Sequence, residues 1–162
     1  QNNKVLPAGE PGEILVRGYN ITQGYFNNPE ATQEAIDTHG WLHTGDIGIL
    51  DSNGYIKITD RSKDMFIVGG FNAYPAEIEN ILCDHPAISQ AAVIGIEDER
   101  MGGVAKAFVL LKPNQDLDAD SLLQWSKDNM ANYKVPREVE FVRELPTNAA
   151  GKIMKYLLRD ES

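Results

Sequence analysis

The chain has 162 residues, of which 42% are apolar and 24% are charged, and its formal net charge at pH 7 is −9. This length and composition are typical of one globular domain, or of a small domain with a piece of another. The negative charge opposes extended contact with nucleic acid, because such binding depends on clustered lysine and arginine. We therefore expect no nucleic-acid partner.

The sequence contains no run of about 18 apolar residues, so no integral membrane segment is expected. A single cysteine, Cys83, excludes an internal disulfide and favours a reducing compartment, so the expected location is cytoplasmic. The chain starts with Gln1 and shows neither an apolar nor a basic leader. We interpret it as a fragment of a longer protein.

The first third of the chain predicts antiparallel β structure with one helix. A short apolar run covers residues 13–17, and a helix is expected to begin near Pro29. Asn53 and Gly54 separate two apolar runs, which is a strong hairpin signal.

After residue 60 the pattern changes to that of a small α+β domain. A helix is expected to begin at Pro75, and a second one to cover residues 118–133. Four runs favour strands, the last three of them as a three-stranded sheet: 65–68, 91–96, 105–111 and 139–142. The charged segment 60–64 between the two blocks predicts a domain boundary, because few packed contacts cross such segments. Residues 1–60 are too few to form a domain of their own, whereas 61–162 can.

Two residues near that boundary are candidates for binding a nucleotide. Asp46 follows Gly45 and can offer carboxylate oxygens to a pair of vicinal hydroxyls. The local pattern by itself favours the alternative that Asp46 caps a turn, as aspartates near glycine commonly do. Arg61 has donors that suit nucleotide oxygens, but an arginine between aspartates is commonly a surface ion-pair residue.

Two further candidates lie in glycine-containing loops. Gly69 and Gly70 end an apolar strand, which is consistent either with a narrow passage for a thin ligand or with a bulge before a helix. Lys152 lies in a loop of small residues, where an ammonium could reach phosphate or carboxylate oxygens or could simply be solvated. The three histidines show no metal-ligand spacing, so no metal site is expected in the chain.

Taken in order, several motifs resemble the carboxy-terminal third of the adenylate-forming acyl-CoA synthetases, the superfamily that also includes luciferases and peptide-synthetase adenylation domains. The resemblance covers nearly the whole chain. It rests on GEPGEILVRG, GYFNNPEAT, GWLHTGDIGILDSNGYIKITDRSKDMFIVGGFNAYPAEIE, ISQAAVIGI, YKVPREVEFVRELP and GKIMK. Lys155 stands where relatives often carry arginine, a difference from which we expect no effect on the chemistry.

The resemblance implies a fold and a set of residue roles. Residues 1–60 would be the distal part of a large N-terminal domain, ending in its β-rich subdomain, and 61–162 the small C-terminal AMP-binding-enzyme domain. Asp46 and Arg61 would bind the ribose of the nucleotide, and Lys63 would be the hinge. Gly69 and Gly70 would border the coenzyme A tunnel, and Lys152 would be the catalytic lysine of adenylation.

The resemblance also implies the reaction and its partners. A carboxylic acid, expected to be a fatty or related acid, would react with ATP to an acyl-adenylate, and the acyl group would pass to coenzyme A after rotation of the small domain. ATP with Mg²⁺ would be bound mainly by the protein's own N-terminal domain. Alternatives are an adenylation domain that loads a carrier protein and a non-catalytic interaction module of the same fold. We expect the isolated chain to be inactive.

Overall fold

The computed structural model of the chain describes residues 4–160. It divides into two compact units, Gln1–Lys63 and Asp64–Ser162. The division falls inside the charged segment 60–64.

The first unit is a three-stranded antiparallel sheet with one short helix. Its strands are β1 (Pro11–Val16), β2 (Leu42–Leu50) and β3 (Ile56–Arg61), in the order β1-β2-β3, and α1 covers Pro29–Ala35. Pro29 stands at the start of α1, and the Asn28 side chain caps it by accepting from the Ala31 N–H.

The turn between β2 and β3 confirms the hairpin that Asn53 and Gly54 predict. The Asp51 carboxylate accepts from the Asn53 and Tyr55 N–H groups, and Gly54 has a positive φ of 87°. Because glycine enters this region of φ without a Cβ clash, the chain reverses here at little cost.

The second unit contains five strands and three helices among its described residues. They are β4 (Phe66–Val68), β5 (Phe71–Ala73), α2 (Pro75–Cys83), β6 (Ile88–Asp98), β7 (Gly102–Leu111), α3 (Ala119–Asn129), β8 (Glu138–Phe141) and α4 (Lys155–Asp160). β4 and β5 form a hairpin, and the main sheet has the order β6-β7-β8, antiparallel between β6 and β7 and parallel between β7 and β8.

Apolar residues are buried on both faces of the main sheet, so that the unit has three layers. On one face Val93 and Val109 pack with Ile78 and Leu82 of α2 and with Leu122 of α3. On the other face a smaller cluster joins the sheet to Leu158 of α4 and to the preceding loop: Ala92, Ile94, Phe108, Leu145 and Leu158. This double burial explains why β6 and β7 read as nearly continuous apolar runs.

The α+β fold and the three-stranded sheet are confirmed, with three differences from the sequence-based expectation. The chain after Gly69 and Gly70 forms strand β5, which the sequence does not predict, and helix α4 is not predicted either. Helix α3 ends at Asn129 instead of continuing to Tyr133, because Met130 has extended dihedrals and the Lys134 N–H closes a turn on Ala131. Pro136 also restricts the residue before it.

None of the helices among the described residues is long and apolar enough to cross a bilayer.

Candidate functional site

Asp46 and Arg61 face each other across two neighbouring strands of the first unit. They are register partners in β2 and β3, and the Arg61 Nε lies 3.1 Å from Asp46 Oδ1. The Arg61 side chain is 59% exposed and that of Asp46 27% exposed. The pair is therefore an accessible carboxylate beside an accessible guanidinium, and not a buried structural bridge.

The backbone before Asp46 is irregular, and neighbouring side chains hold it. Gly45 has a positive φ of 70°, and its N–H donates to Glu13 Oε1. The Asp46 N–H donates to the Thr44 hydroxyl, which itself donates to the Ile14 carbonyl oxygen at 2.8 Å. Asp46 thus lies inside strand β2, and hydrogen bonds to residues of β1 hold the backbone next to it. It does not lie in the turn that the local sequence pattern favours.

The Arg61 backbone is held by the preceding residue. Asp60 is buried, at 8% exposure, and its carboxylate accepts from the Arg61 N–H at 2.6 Å. Next along the chain, the Ser62 N–H donates to the Gly45 carbonyl oxygen at 2.8 Å. The two strands therefore stay paired up to the end of the unit, which keeps the guanidinium near the carboxylate.

In the second unit, Gly69 and Gly70 are the two central residues of the β4–β5 turn. Their φ angles are 57° and 89°, and Val68 pairs with Phe71 on either side of them. A two-residue hairpin with positive φ at both central positions is a geometry that glycine satisfies best. The interpretation of this pair as a bulge before a helix is wrong, because a strand intervenes.

The two glycines have different surroundings. The Gly69 N–H donates to the Met101 carbonyl oxygen at 2.8 Å, and a Cβ at Gly69 would lie 2.6 Å from Met101 Cε. A Cβ at Gly70 would meet no atom within 4 Å. The turn thus presents an open backbone edge at Gly70 and a closely packed one at Gly69.

Lys152 lies in a tight loop between Thr147 and Ile153, which pair as an isolated antiparallel bridge. Asn148 organises this loop: its side-chain oxygen accepts from the Ala150 and Lys152 N–H groups, at 3.0 and 2.9 Å. Its backbone N–H donates to the Lys152 carbonyl oxygen at 2.9 Å. The backbone of Lys152 is therefore fixed while its side chain is exposed.

This arrangement accounts for the small residues around Lys152. Gly151 has a positive φ of 77°, and a Cβ there would meet nothing within 4 Å. Within the described part of its own unit, the Lys152 ammonium takes part in none of the ion pairs. It is available to an external anion.

Helix α4, directly after the lysine loop, is an element near the candidate site that the sequence does not predict. It begins at Lys155, whose Nζ lies 2.6 Å from Glu79 Oε1, with both side chains 17% exposed. The sequence signal for this helix is weak, because six helical residues are too few to show a clear period. Among the described residues there is no cluster of histidine, cysteine, aspartate and glutamate that could hold a metal ion.

Comparison with known proteins identifies the class. Residues 77–152 match the model of the AMP-binding enzyme C-terminal domain. Residues 77–152 therefore carry an AMP-binding enzyme C-terminal domain, which confirms the resemblance found in the motifs of the chain.

Its curated relatives include several CoA ligases. The chain is 54% identical, over 153 residues, to 3-[(3aS,4S,7aS)-7a-methyl-1,5-dioxo-octahydro-1H-inden-4-yl]propanoyl:CoA ligase of Rhodococcus jostii, covering 94% of this chain and 30% of the relative. It is 44% identical, over 161 residues, to a long-chain-fatty-acid–CoA ligase of Escherichia coli O157:H7, covering 99% of this chain and 28% of the relative.

Solved structures of the same class share the fold. ATP-bound MatB from Rhodopseudomonas palustris superposes with a TM-score of 0.90 at 37% identity, over 96% of this chain and 31% of that one. The o-succinylbenzoate CoA synthetase of Bacillus subtilis, in complex with its acyl-adenylate intermediate, has a TM-score of 0.89 at 38% identity, over 99% and 32%. The chain thus spans less than a third of the length of these proteins.

Proposed function

We propose that this chain is the C-terminal portion of a carboxylic acid–CoA ligase that forms an acyl-adenylate and then an acyl-CoA. In the first step a carboxylate oxygen attacks the α-phosphorus of ATP and pyrophosphate leaves. In the second step the thiol sulfur of coenzyme A attacks the acyl carbon and AMP leaves. The observation that carries the proposal is the fixed loop that exposes Lys152, in a chain whose relatives are CoA ligases.

Lys152 serves the first step. Its ammonium can approach the substrate carboxylate and the phosphate oxygens, where negative charge is redistributed as pyrophosphate leaves. The hydrogen bonds from Asn148 limit motion of the backbone that carries it, so less ordering is needed when the substrate arrives. Since the ammonium has no ion-pair partner in the described part of its unit, binding a substrate breaks no such contact there.

Asp46 and Arg61 bind the ribose of the nucleotide. Arg61 engages Asp46 Oδ1, and the carboxylate can offer its other oxygen to a hydroxyl donor. The guanidinium carries further N–H donors that can reach a ribose oxygen. The exposure of both side chains supports this role, since a ligand can reach them.

Gly69 and Gly70 border the path of the pantetheine arm of coenzyme A. A thin chain can approach the backbone at Gly70 closely because no side chain projects there. Lys63, a turn residue at the end of the first unit, is the hinge about which the small domain rotates between the two steps.

The rest of the ligase supplies the phosphate and acid sites. The family resemblance implies that the ATP phosphates and Mg²⁺ are bound mainly by the N-terminal domain. We therefore expect the isolated chain not to catalyse ATP–pyrophosphate exchange. The names of the relatives specify acids as different as a long-chain fatty acid and an octahydroindenyl propanoate. We infer that residues outside this chain select the acid substrate.

Replacement of Lys152 tests the proposal. In the full-length ligase, Lys152→Ala should reduce adenylation, measured by ATP–pyrophosphate exchange, by about a hundredfold or more, because an electrostatic contact to the transition state is lost. Thioester formation from supplied acyl-adenylate should hardly change.

Lys127→Ala is the matched control. Lys127 is another exposed lysine of the same unit, on α3, and its removal takes away the same charge at a position outside the loop. Equal losses in both half-reactions for Lys152→Ala, or an equal effect of Lys127→Ala, would contradict the assignment.

A further inference from the structure

Helix α4 is short, yet two ion pairs and one buried residue hold it in place. Lys155 at its first position pairs with Glu79 of α2, and Arg159 in its last turn pairs with Asp64. Leu158, at 3% exposure, packs into the smaller core cluster. An isolated helix of six residues would not be stable in water, so these contacts must fix it.

The Lys155–Glu79 pair is well shielded and closely bonded. Lys155 Nζ lies 2.6 Å from Glu79 Oε1, and each side chain is only 17% exposed. Pairs of this kind are hard to break, because removing one partner leaves a poorly hydrated charge behind.

Glu79 is in turn anchored to the main sheet. Its Oε1 also accepts from the Val93 N–H, at 2.7 Å, on the outer edge of β6. The carboxylate therefore joins α2, the edge of the sheet and the first residue of α4. The start of α4 is tied to the buried centre of the unit.

The second pair ties α4 to the beginning of the same unit. Arg159 Nη2 lies 2.8 Å from Asp64 Oδ1, and the exposed fractions are 40% and 27%. Asp64 is the residue directly after Lys63, the proposed hinge. The pair therefore connects the start of the unit to the last turn of α4.

The other end of α4 continues directly into the lysine loop. The Met154 N–H, just before the helix, donates to the Pro146 carbonyl oxygen at 2.8 Å. Two residues separate Lys152 from Lys155. The position of the loop is therefore set by where α4 begins.

We propose that Lys155 and Arg159, with their partners Glu79 and Asp64, are positioning residues that clamp α4, so that the Lys152 loop is carried as a rigid extension of the segment that follows the hinge. This inference rests on the proposed function, because it assigns the clamp a role in adenylation. It is compatible with the expectation that lysine in place of arginine at 155 has no effect on the chemistry, because either cation can pair with Glu79.

The first experiment measures the clamp without reference to activity. In the 162-residue chain, Lys155→Met should raise amide hydrogen exchange at Lys152 and Met154 by roughly tenfold, as expected when a charged hydrogen bond that holds a local structure is lost. Amides of β7 should keep their protection. Glu79→Gln provides a milder variant that keeps an oxygen for the Val93 N–H but removes the charge.

Lys134→Met is the matched control. Lys134 pairs with Glu77 of the same helix α2, and its side chain is 16% exposed, close to the 17% of Lys155. Its removal should leave exchange at Lys152 and Met154 unchanged. If neither Lys155→Met nor Glu79→Gln raises that exchange above the Lys134→Met control, the clamp does not hold the loop and the inference is overturned.

The second experiment measures the two half-reactions of the full-length ligase. Lys155→Met and Arg159→Met should each lower the kcat of ATP–pyrophosphate exchange, by about tenfold, with thioester formation from supplied acyl-adenylate retained. Lys155→Arg keeps the ion pair and should therefore retain the ATP–pyrophosphate exchange that Lys155→Met loses. Parallel loss of both half-reactions, or no rescue by arginine, would show that the clamp only stabilises the fold.

The two experiments separate the clamp from the proposed function. Suppose that Lys152→Ala left adenylation intact while Lys155→Met still loosened the loop. The catalytic role assigned to Lys152 would then be wrong, and the clamp would be correct. The amide hydrogen-exchange data show in either case whether the clamp holds the loop.

Discussion

Gly69 and Gly70 show how two adjacent identical residues can have different structural requirements. Both have positive φ, a region in which any Cβ is strained. Only Gly69 is also closely packed, since a Cβ there would lie 2.6 Å from Met101 Cε. A substitution at Gly69 therefore carries two costs and one at Gly70 carries one.

We expect Gly70→Ala to lower the free energy of unfolding by about 1–2 kcal/mol, from backbone strain alone. Gly69→Ala should lower it further, because Met101 must also move. Urea unfolding followed by Trp125 fluorescence in a Trp41→Phe background would measure both in the second unit, since Trp125 lies on α3 and packs against its core.

A Met101→Ala background provides the control for that comparison. Once the Met101 side chain is removed, the packing penalty at Gly69 should disappear, and Gly69→Ala should become the less harmful change, because its φ of 57° lies in the left-handed region and the 89° of Gly70 lies beyond it. If Gly69→Ala were still the more harmful change there, the difference would arise from the backbone of the turn and not from packing.

The residue scale also shows why local patterns left several roles open. Asp46 and Arg61 are far apart along the chain, and neither local motif indicates that the other residue is its partner. Their pairing depends on the register of β2 against β3. An irregularity between Ile47 and Gly48 shifts that register, and no simple alternation of side chains predicts it.

Among the secondary-structure elements, α3 is capped by Asp118, the first residue of the predicted helix, and it ends earlier than the sequence predicts. The Asp118 carboxylate accepts from the Ser121 N–H at 2.9 Å and from the Ser121 hydroxyl at 2.7 Å. The hydroxyl bond, followed by the backbone bond, lowers the pKa of Asp118 below its usual value of 3.8. The ionised cap is therefore the form that stabilises the helix.

The stability of the second unit should depend on pH through this cap. Because the pKa of Asp118 is lower in the folded than in the unfolded chain, its contribution is present above pH 3.8 and is lost as the pH falls through the folded value. Asp118→Ala should thus reduce the free energy of unfolding at neutral pH, and the gap to the unchanged chain should narrow in acid. Urea unfolding at a series of pH values would measure it.

Ser121→Ala is the informative companion variant. It removes the hydroxyl bond, the larger cause of the pKa shift, and keeps the N–H donor. The pKa of Asp118, followed by NMR titration, should rise toward its usual value. An unchanged pKa would show that the hydroxyl has no part in the cap.

Helices differ in how readily their sequences reveal them. Helix α2 has Pro75 at its start and buried Ile78 and Leu82 on one face, so both its start and its period are visible. Helix α4 has one buried residue among those whose burial is described, Leu158, and its ion-pair partners Glu79 and Asp64 lie far away along the chain. Its existence depends on those partners, and no local window contains them.

At the scale of the whole molecule, the chain consists of two compact units that divide after Lys63. If the second unit rotates about Lys63, the dihedrals of this residue must take two sets of values. Proline locks φ near about −65° and restricts the residue before it. A proline at the hinge is therefore compatible with at most one of the two states.

We expect Lys63→Pro in the full-length protein to separate the two proposed half-reactions, with adenylation retained and transfer to coenzyme A slowed. ATP–pyrophosphate exchange and single-turnover thioester formation, measured on one preparation, would show it. Lys63→Ala, which removes the side chain and keeps φ free, is the matched variant and should retain both rates. Parallel loss of both rates in Lys63→Pro, with a lowered Tm, would remove the hinge assignment.

Sequence alone determined the class of the protein, most of its elements and the candidate residues. The class and the roles of the candidate residues follow from the family resemblance of its motifs, and the elements follow from apolar periodicity and turn residues, all of which are local features of the sequence. Tertiary structure decided the Asp46–Arg61 pairing, the β5 return, the end of α3 and the ion pairs that hold α4. The pairings depend on residues that are distant in the chain and become neighbours only when the strand register and the buried core are formed, because ion pairs and packing act over a few ångströms in space.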